Sequence, residues 1–260
     1  MALHIEVVGE GPPLVLVHGW GLHGGVFAPL VDRLSGRYRL YLPDLPGHGH
    51  SRDDGTPLTL QDCAAGILAR TPPAAWLGWS LGGLFALHAA SVSPQVRALA
   101  LVAATPRFVR AKDWPHAVEP SVFEQFGRDL EQDYRGTLER FLALDTIGSE
   151  HARAELRTLK ESLYARGEPA PQALQQGLAL LEQSDLRTVL AKLSMPNLWI
   201  SGHRDRLVSP TAMREAAAMT PNNRYLDIAG GGHAPFLGHA DQVADAIRDF
   251  MVDVERVGAT

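Results

Sequence analysis

The chain has 260 residues, about the length of one large α/β domain, and its 45% hydrophobic and 20% charged residues suit an ordinary globular protein with a real core. Twenty-four Lys and Arg against 29 Asp and Glu leave a net charge of −5, which argues against a general nucleic-acid binder. The single cysteine, Cys63, excludes an intrachain disulfide and a cysteine metal cluster, while the absence of a leader pattern or a run of about 20 apolar residues makes the cytoplasm the expected location.

Short apolar runs alternate with longer amphipathic ones, which predicts a mostly parallel sheet with crossover helices. The first strand, 14–18, runs into His18-Gly19-Trp20-Gly21. Two glycines there leave the backbone open, so the N–H of Trp20 can point at a substrate oxyanion; His18 reads as a brace for the loop. The second strand, 39–43, leads into Asp44-Leu45-Pro46-Gly47-His48-Gly49-His50-Ser51, a Gly- and Pro-rich turn read as structural. The residues around Cys63 look helical, which favours a buried, inert thiol.

A third strand, 75–79, ends in Gly78-Trp79-Ser80-Leu81-Gly82, followed by Gly83 and a helical run, 84–90. Strand, G-x-S-x-G and helix in that order form a nucleophile elbow, with Ser80 as the nucleophile. Glycines are needed because side chains beside the strained serine would collide. The N–H of Leu81, at the start of the following helix, would complete the oxyanion hole with that of Trp20.

After a strand over 98–103 the rhythm changes. From about 107 to 190 the pattern predicts helices over 121–132, 137–144, 150–164 and 171–183, and no strand. Such an insertion would lie over the carboxyl ends of the strands, where ligands bind in open α/β sheets, and is read as a cap. Residues 1–106 and 191–260 then form the core and 107–190 the helical cap.

A strand over 197–201 opens a loop holding Asp205, and one over 224–228 precedes Gly230-Gly231-Gly232-His233. A serine needs a base, and the base an orienting acid. The order Ser80, Asp205, His233 supplies them, with Asp227, inside a strand, as the weaker rival for the acid. In the last helix Val243, Ile247, Phe250, Met251 and Val254 share one face. No metal site or cofactor is expected: His48 and His50 look isolated from acidic partners, and neither H-E-x-x-H nor Gly-Lys-Ser/Thr occurs.

Four stretches carry a resemblance to a known family: 16–22 (Leu-Val-His-Gly-Trp-Gly-Leu), 76–84 (Trp-Leu-Gly-Trp-Ser-Leu-Gly-Gly-Leu), 139–144 (Glu-Arg-Phe-Leu-Ala-Leu) and 232–236 (Gly-His-Ala-Pro-Phe). The chain resembles, from end to end, the pimeloyl-[acyl-carrier-protein] methyl ester esterases of biotin synthesis, the BioH family. The segment 139–144, followed by Thr146 and Gly148, is the most discriminating. The resemblance implies an α/β-hydrolase fold and hydrolysis of the methyl ester of pimeloyl-acyl carrier protein. It also implies substrate contacts from Trp20, Ser80, Leu81, His233 and the run Phe141, Leu142, Ala143, Leu144 and Asp145. The family usually carries a glutamine where Asp145 stands, so a negative charge there puts that contact in question. Arg140, Arg153, Arg157 and Lys160 match basic family positions and are the expected carrier-protein site; residues 153, 157 and 160 also share a helix face. Gly136 stands where relatives can carry another arginine. The bland reading of these cations is a solvated face balanced by Glu139, Glu150, Glu155 and Glu161.

The expected partner is therefore acyl carrier protein, with no nucleic acid, no membrane and a monomeric enzyme. A broad carboxylesterase acting on small or short-chain esters is the alternative from the same residues. A cofactor-free haloperoxidase or carbon–carbon hydrolase would use the same three side chains, and a receptor built on a hydrolase fold is a third class. Dehalogenase chemistry is disfavoured by a serine at position 80.

Overall fold

The computed structural model describes residues 3–258. Seven strands form one sheet: β1 (Ile5–Val8), β2 (Pro13–Val17), β3 (Arg39–Pro43), β4 (Ala74–Trp79), β5 (Val96–Val102), β6 (Asn197–Gly202) and β7 (Asn223–Ile228). Their order is β1-β3-β2-β4-β5-β6-β7, and every neighbouring pair is parallel except β1 with β3. All six β4 residues are buried, as befits a central strand covered on both faces. Six of the seven strands follow the expected positions. The unforeseen one, β1, has only four residues at the antiparallel edge, three half-buried and Val7 exposed, too few to show a clear period.

The helices are α1 (Ala28–Leu34), α2 (Leu60–Leu68), α3 (Leu81–Val92), α4 (Pro120–Gln132), α5 (Tyr134–Thr146), α6 (Ala152–Ala165), α7 (Pro171–Gln183), α8 (Arg187–Leu190), α9 (Pro210–Ala218), α10 (Pro235–Gly238) and α11 (Ala240–Gly258). On α11 the residues Val243, Ile247, Phe250 and Met251 are buried, as their spacing predicts. Thr59 caps α2 by accepting the Asp62 N–H at 3.0 Å. Cys63 is buried on that helix, and burial, then the Asp62 charge, pushes its thiol up to about 12. Among the described residues, no helix is long and apolar enough to cross a membrane.

Strands β2, β4, β6 and β7 belong to one parallel set, so their C-terminal ends share an edge of the sheet. Trp20, Ser80, Asp205 and His233 each follow one of those ends within five residues. Helices α4 to α8 intervene between β5 and β6, where the sequence predicts a helical insertion. Within 107–190 the only extended pairings among the described residues are the isolated bridges Val109 with Val118 and Ala111 with Trp114.

This helical group is fixed to the sheet edge by specific contacts. The Trp20 ring packs on Phe141 of α5 with centroids 4.5 Å apart, and Trp20 Nε1–H donates to the Leu174 carbonyl of α7 at 2.9 Å. Farther out, Arg166 pairs with Asp44 at 3.1 Å and with Glu6. His23 Nε2–H donates to the Ser162 carbonyl at 2.6 Å.

Candidate active site

The elbow begins with backbone geometry. Ser80 sits between β4 and α3 at φ 53°, a region that L residues rarely adopt. Its N–H donates to the Val102 carbonyl at 3.0 Å, which holds the turn against β5. A Cβ on Gly82 would collide with the Val17 and His18 carbonyls, and one on Gly78 with the backbone of Gly82 and Gly83. Both motif glycines are therefore required by close backbone approach. Leu81 opens α3, where the first N–H groups have no partner inside the helix.

His233 and Asp205 arrive on two loops joined to each other. His203 and Arg204 donate backbone N–H groups to Ile228 and Gly231, each at 2.9 Å. Gly202 permits that approach, since a Cβ there would meet the backbone of Gly231 and Gly232. His233 Nε2 lies 2.8 Å from Ser80 Oγ, and His233 Nδ1 lies 2.8 Å from Asp205 Oδ2. The other Asp205 oxygen accepts the N–H groups of Leu207 and Val208 at 2.8 and 2.9 Å. The carboxylate thus orients the ring with Nδ1–H donating and Nε2 free to accept the serine proton. Asp227, the rival acid, is occupied elsewhere by Ser201 and His203.

Burial alone would lower the His233 pKa. The Asp205 charge and hydrogen bond, followed by the Asp145 charge, outweigh it and raise the value above ordinary histidine. The His233 main chain is gripped from two sides: its N–H donates to the Asp145 carbonyl at 3.1 Å, and its carbonyl accepts Trp79 Nε1–H at 2.8 Å. Trp79 escaped the sequence reading as a support because only its place beside Ser80 was visible there.

The loop after β2 that carries Trp20 is braced by His18. Its Nε2 accepts the Leu45 N–H at 2.9 Å, so Nδ1–H donates to the Gly19 carbonyl at 2.8 Å. Burial, then repulsion from His48, lowers the His18 pKa to about 3, which keeps the ring neutral. The turn after β3 is structural as expected. Asp44 accepts N–H groups from Gly24 and His50, both at 2.8 Å, and faces Arg166.

On α5, Phe141, Leu142 and Asp145 are buried while Ala143 and Leu144 are half-buried. Asp145 reaches the centre of the site, where its Oδ1 lies 4.0 Å from His233 Nε2 and has no hydrogen-bond partner. Burial lifts its pKa to about 7 against the pull of His233, with Asp205 adding to the rise. The whole constellation is closed: Ser80 and His233 are only 2% and 1% exposed.

The basic positions lie on the outer face of the helical group. Arg140, Arg153 and Arg157 are exposed and Lys160 half-buried. Arg140 pairs with Asp129 and Asp133, both at 3.3 Å, and Lys160 with Glu139 at 2.6 Å. Glu155, expected to balance that face from solvent, is instead buried against Ser149 at 2.7 Å.

Sheet order, elbow and convergent loops are those of an α/β hydrolase. The profile of the family described as alpha/beta hydrolase fold matches residues 12–240. An esterase from Exiguobacterium antarcticum superposes with a TM-score of 0.87 over 95% of this chain and 94% of its own, at 22% identity, a likeness of fold. Two curated relatives are much nearer in sequence. The pimeloyl-[acyl-carrier protein] methyl ester esterase of Xanthomonas oryzae pv. oryzae (strain MAFF 311018) is 67% identical over 97% of this chain and 100% of its own length. That of Stenotrophomonas maltophilia (strain K279a) is 65% identical over 96% of both. The chain belongs to the α/β-hydrolase family and, within it, to the group of these methyl ester esterases.

Proposed function

We propose that this chain is a serine esterase that hydrolyses the methyl ester of a pimeloyl group borne by acyl carrier protein. Ser80 is the nucleophile, His233 the general base and acid, and Asp205 the residue that holds the imidazole. His233 Nε2 takes the Ser80 proton as Oγ attacks the ester carbonyl. The N–H groups of Trp20 and Leu81 hold the resulting oxyanion, an effect of about 2.7–4 kcal/mol per lost donor in a serine protease. The imidazolium then protonates the departing methoxide, methanol leaves, and Ser80 carries the acyl group. A water activated by the same nitrogen releases the free carboxylate and restores the serine.

Residues 107–190 act as the cap over this centre. The acyl chain lies against Trp20 and the run Phe141 to Asp145, and the carrier docks on Arg140, Arg153, Arg157 and Lys160. The enzyme works as a cytoplasmic monomer. The observation that carries the reading is the pair of 2.8 Å contacts joining Ser80, His233 and Asp205, with the near relatives supplying the substrate class.

Ser80→Ala is expected to leave folding intact while lowering kcat by on the order of 10⁴- to 10⁶-fold. It is also expected to fail to restore growth of a strain that lacks its own pimeloyl-carrier methyl esterase and requires biotin, where the wild type succeeds. The broad-carboxylesterase reading draws support from the carboxylates already paired with Arg140 and Lys160. Salt separates the two readings. Hydrolysis of a carrier-borne ester that falls steeply with ionic strength, beside an unaffected small ester, favours carrier docking.

A further inference from the structure

Outside the triad, one cluster of metal-ligating side chains spans two distant parts of the chain. Glu150 and His151 lie in the turn between α5 and α6, and His239 follows α10, six residues beyond His233. Glu150 Oε1 is 3.6 Å from His151 Nε2 and 3.6 Å from His239 Nε2. Three ligand atoms, one from each side chain, lie within 4.8 Å of one another.

Those separations are too long for hydrogen bonds but near the spacing of donors around a cation. Two ligands held tetrahedrally at about 2.0–2.1 Å from zinc lie roughly 3.3 Å apart. A second observation points the same way. The His239 side chain is 7% exposed, its Nε2 has no hydrogen-bond partner, and that atom faces Glu150. A buried ring nitrogen left unpartnered costs stability unless something binds it. The site is also reachable, since the Glu150 and His151 side chains are 46% and 48% exposed.

We propose that Glu150, His151 and His239 bind a divalent cation of the zinc class and thereby tie the α5–α6 turn to the loop that carries His233. Two imidazoles and one carboxylate suit zinc and leave a fourth position for water. The two segments already touch, for the Glu150 N–H donates to the Gly230 carbonyl at 3.0 Å. Gly238 keeps α10 close to the turn, because a Cβ there would meet the His151 ring and Glu155. The ion acts as a staple between the helical group and the segment after β7 and takes no part in the ester chemistry.

A rival cluster, His4, Asp44 and His50, is less suited to a cation. Both Asp44 oxygens are taken by backbone N–H groups and by the Arg166 guanidinium, which an ion would have to displace.

The test uses untagged full-length protein, zinc chloride titration by calorimetry, and thermal melting. One zinc per chain is expected, with a Tm rise of about 5–10 °C when free zinc exceeds Kd 100-fold. Glu150→Gln and His151→Asn, at exposed side chains that leave the fold intact, should each weaken binding by at least about tenfold and cut the rise at the same zinc concentration to about half or less. Cobalt should give the visible bands of a four-coordinate site in the wild type and lose them in both variants. Unchanged affinity in both variants, or zinc binding removed only by changing His4 and His50, overturns the proposal. Because the readouts are heat and melting, the result does not depend on the esterase assignment.

Discussion

At the residue scale, Asp145 is the departure with the clearest physical consequence. A carboxyl stands against the Nε2 face of His233 with one oxygen unpartnered, where the resemblance to the methyl ester esterases implies a glutamine. Its folded pKa, lifted to about 7 mainly by burial, lies above the unfolded value near 3.8. For a group raised in this way, stability is fully present below the unfolded pKa and is lost as pH rises through the folded one. The window therefore runs from about pH 4 to about pH 7. Asp145→Asn removes the cost of ionising that buried group, so the variant should be more stable than wild type at pH 8, with the gap closing towards pH 5. Urea unfolding at the two pH values measures it, and a pH-independent gap would refute the assignment. The acid limb of kcat/KM should also move to lower pH in this variant, because the Asp145 charge helps to raise the His233 pKa.

At the element scale, the helical group α4–α8 is tied to the sheet by two kinds of contact. The first is the Trp20 clamp between α5 and α7. The second is Arg166, bound to Asp44 and Glu6. The Asp44 side chain is fully buried, so its charge relies on its hydrogen bonds and on that guanidinium. Arg166→Ala should destabilise the protein by about 3–5 kcal/mol, the usual result of leaving one partner of a buried pair behind. Thermal or urea melting checks the loss, and Asp44→Asn in the Arg166→Ala background should recover part of it.

At the scale of the whole molecule, a net charge of −5 coexists with cations gathered on the outer side of α5 and α6. Arg153 and Arg157 are exposed there, whereas Arg140 and Lys160 are engaged with neighbouring carboxylates. Exposed charges act mainly on the rate of encounter with an acidic partner. Reversing both, as Arg153→Glu with Arg157→Glu, should lower kcat/KM for a carrier-borne ester about 10- to 100-fold and flatten its salt dependence. Hydrolysis of a small ester should stay within twofold. Equal loss on both substrates would mean that this face serves folding rather than docking.

The sequence alone determined the features that depend on a residue and its near neighbours. Gly78, Ser80 and Gly82 announce a strained strand-to-helix turn because only that local geometry demands them, and six strands were legible from their own apolar runs. The order of Ser80, Asp205 and His233 followed from loops placed after those strands. Tertiary structure alone decided what meets across the chain: Trp79 beneath His233, Asp145 beside it, and the joining of Glu150 and His151 to His239. Such meetings depend on sheet register and on how the inserted helices settle over the strand ends, long-range packing that leaves no period in the sequence.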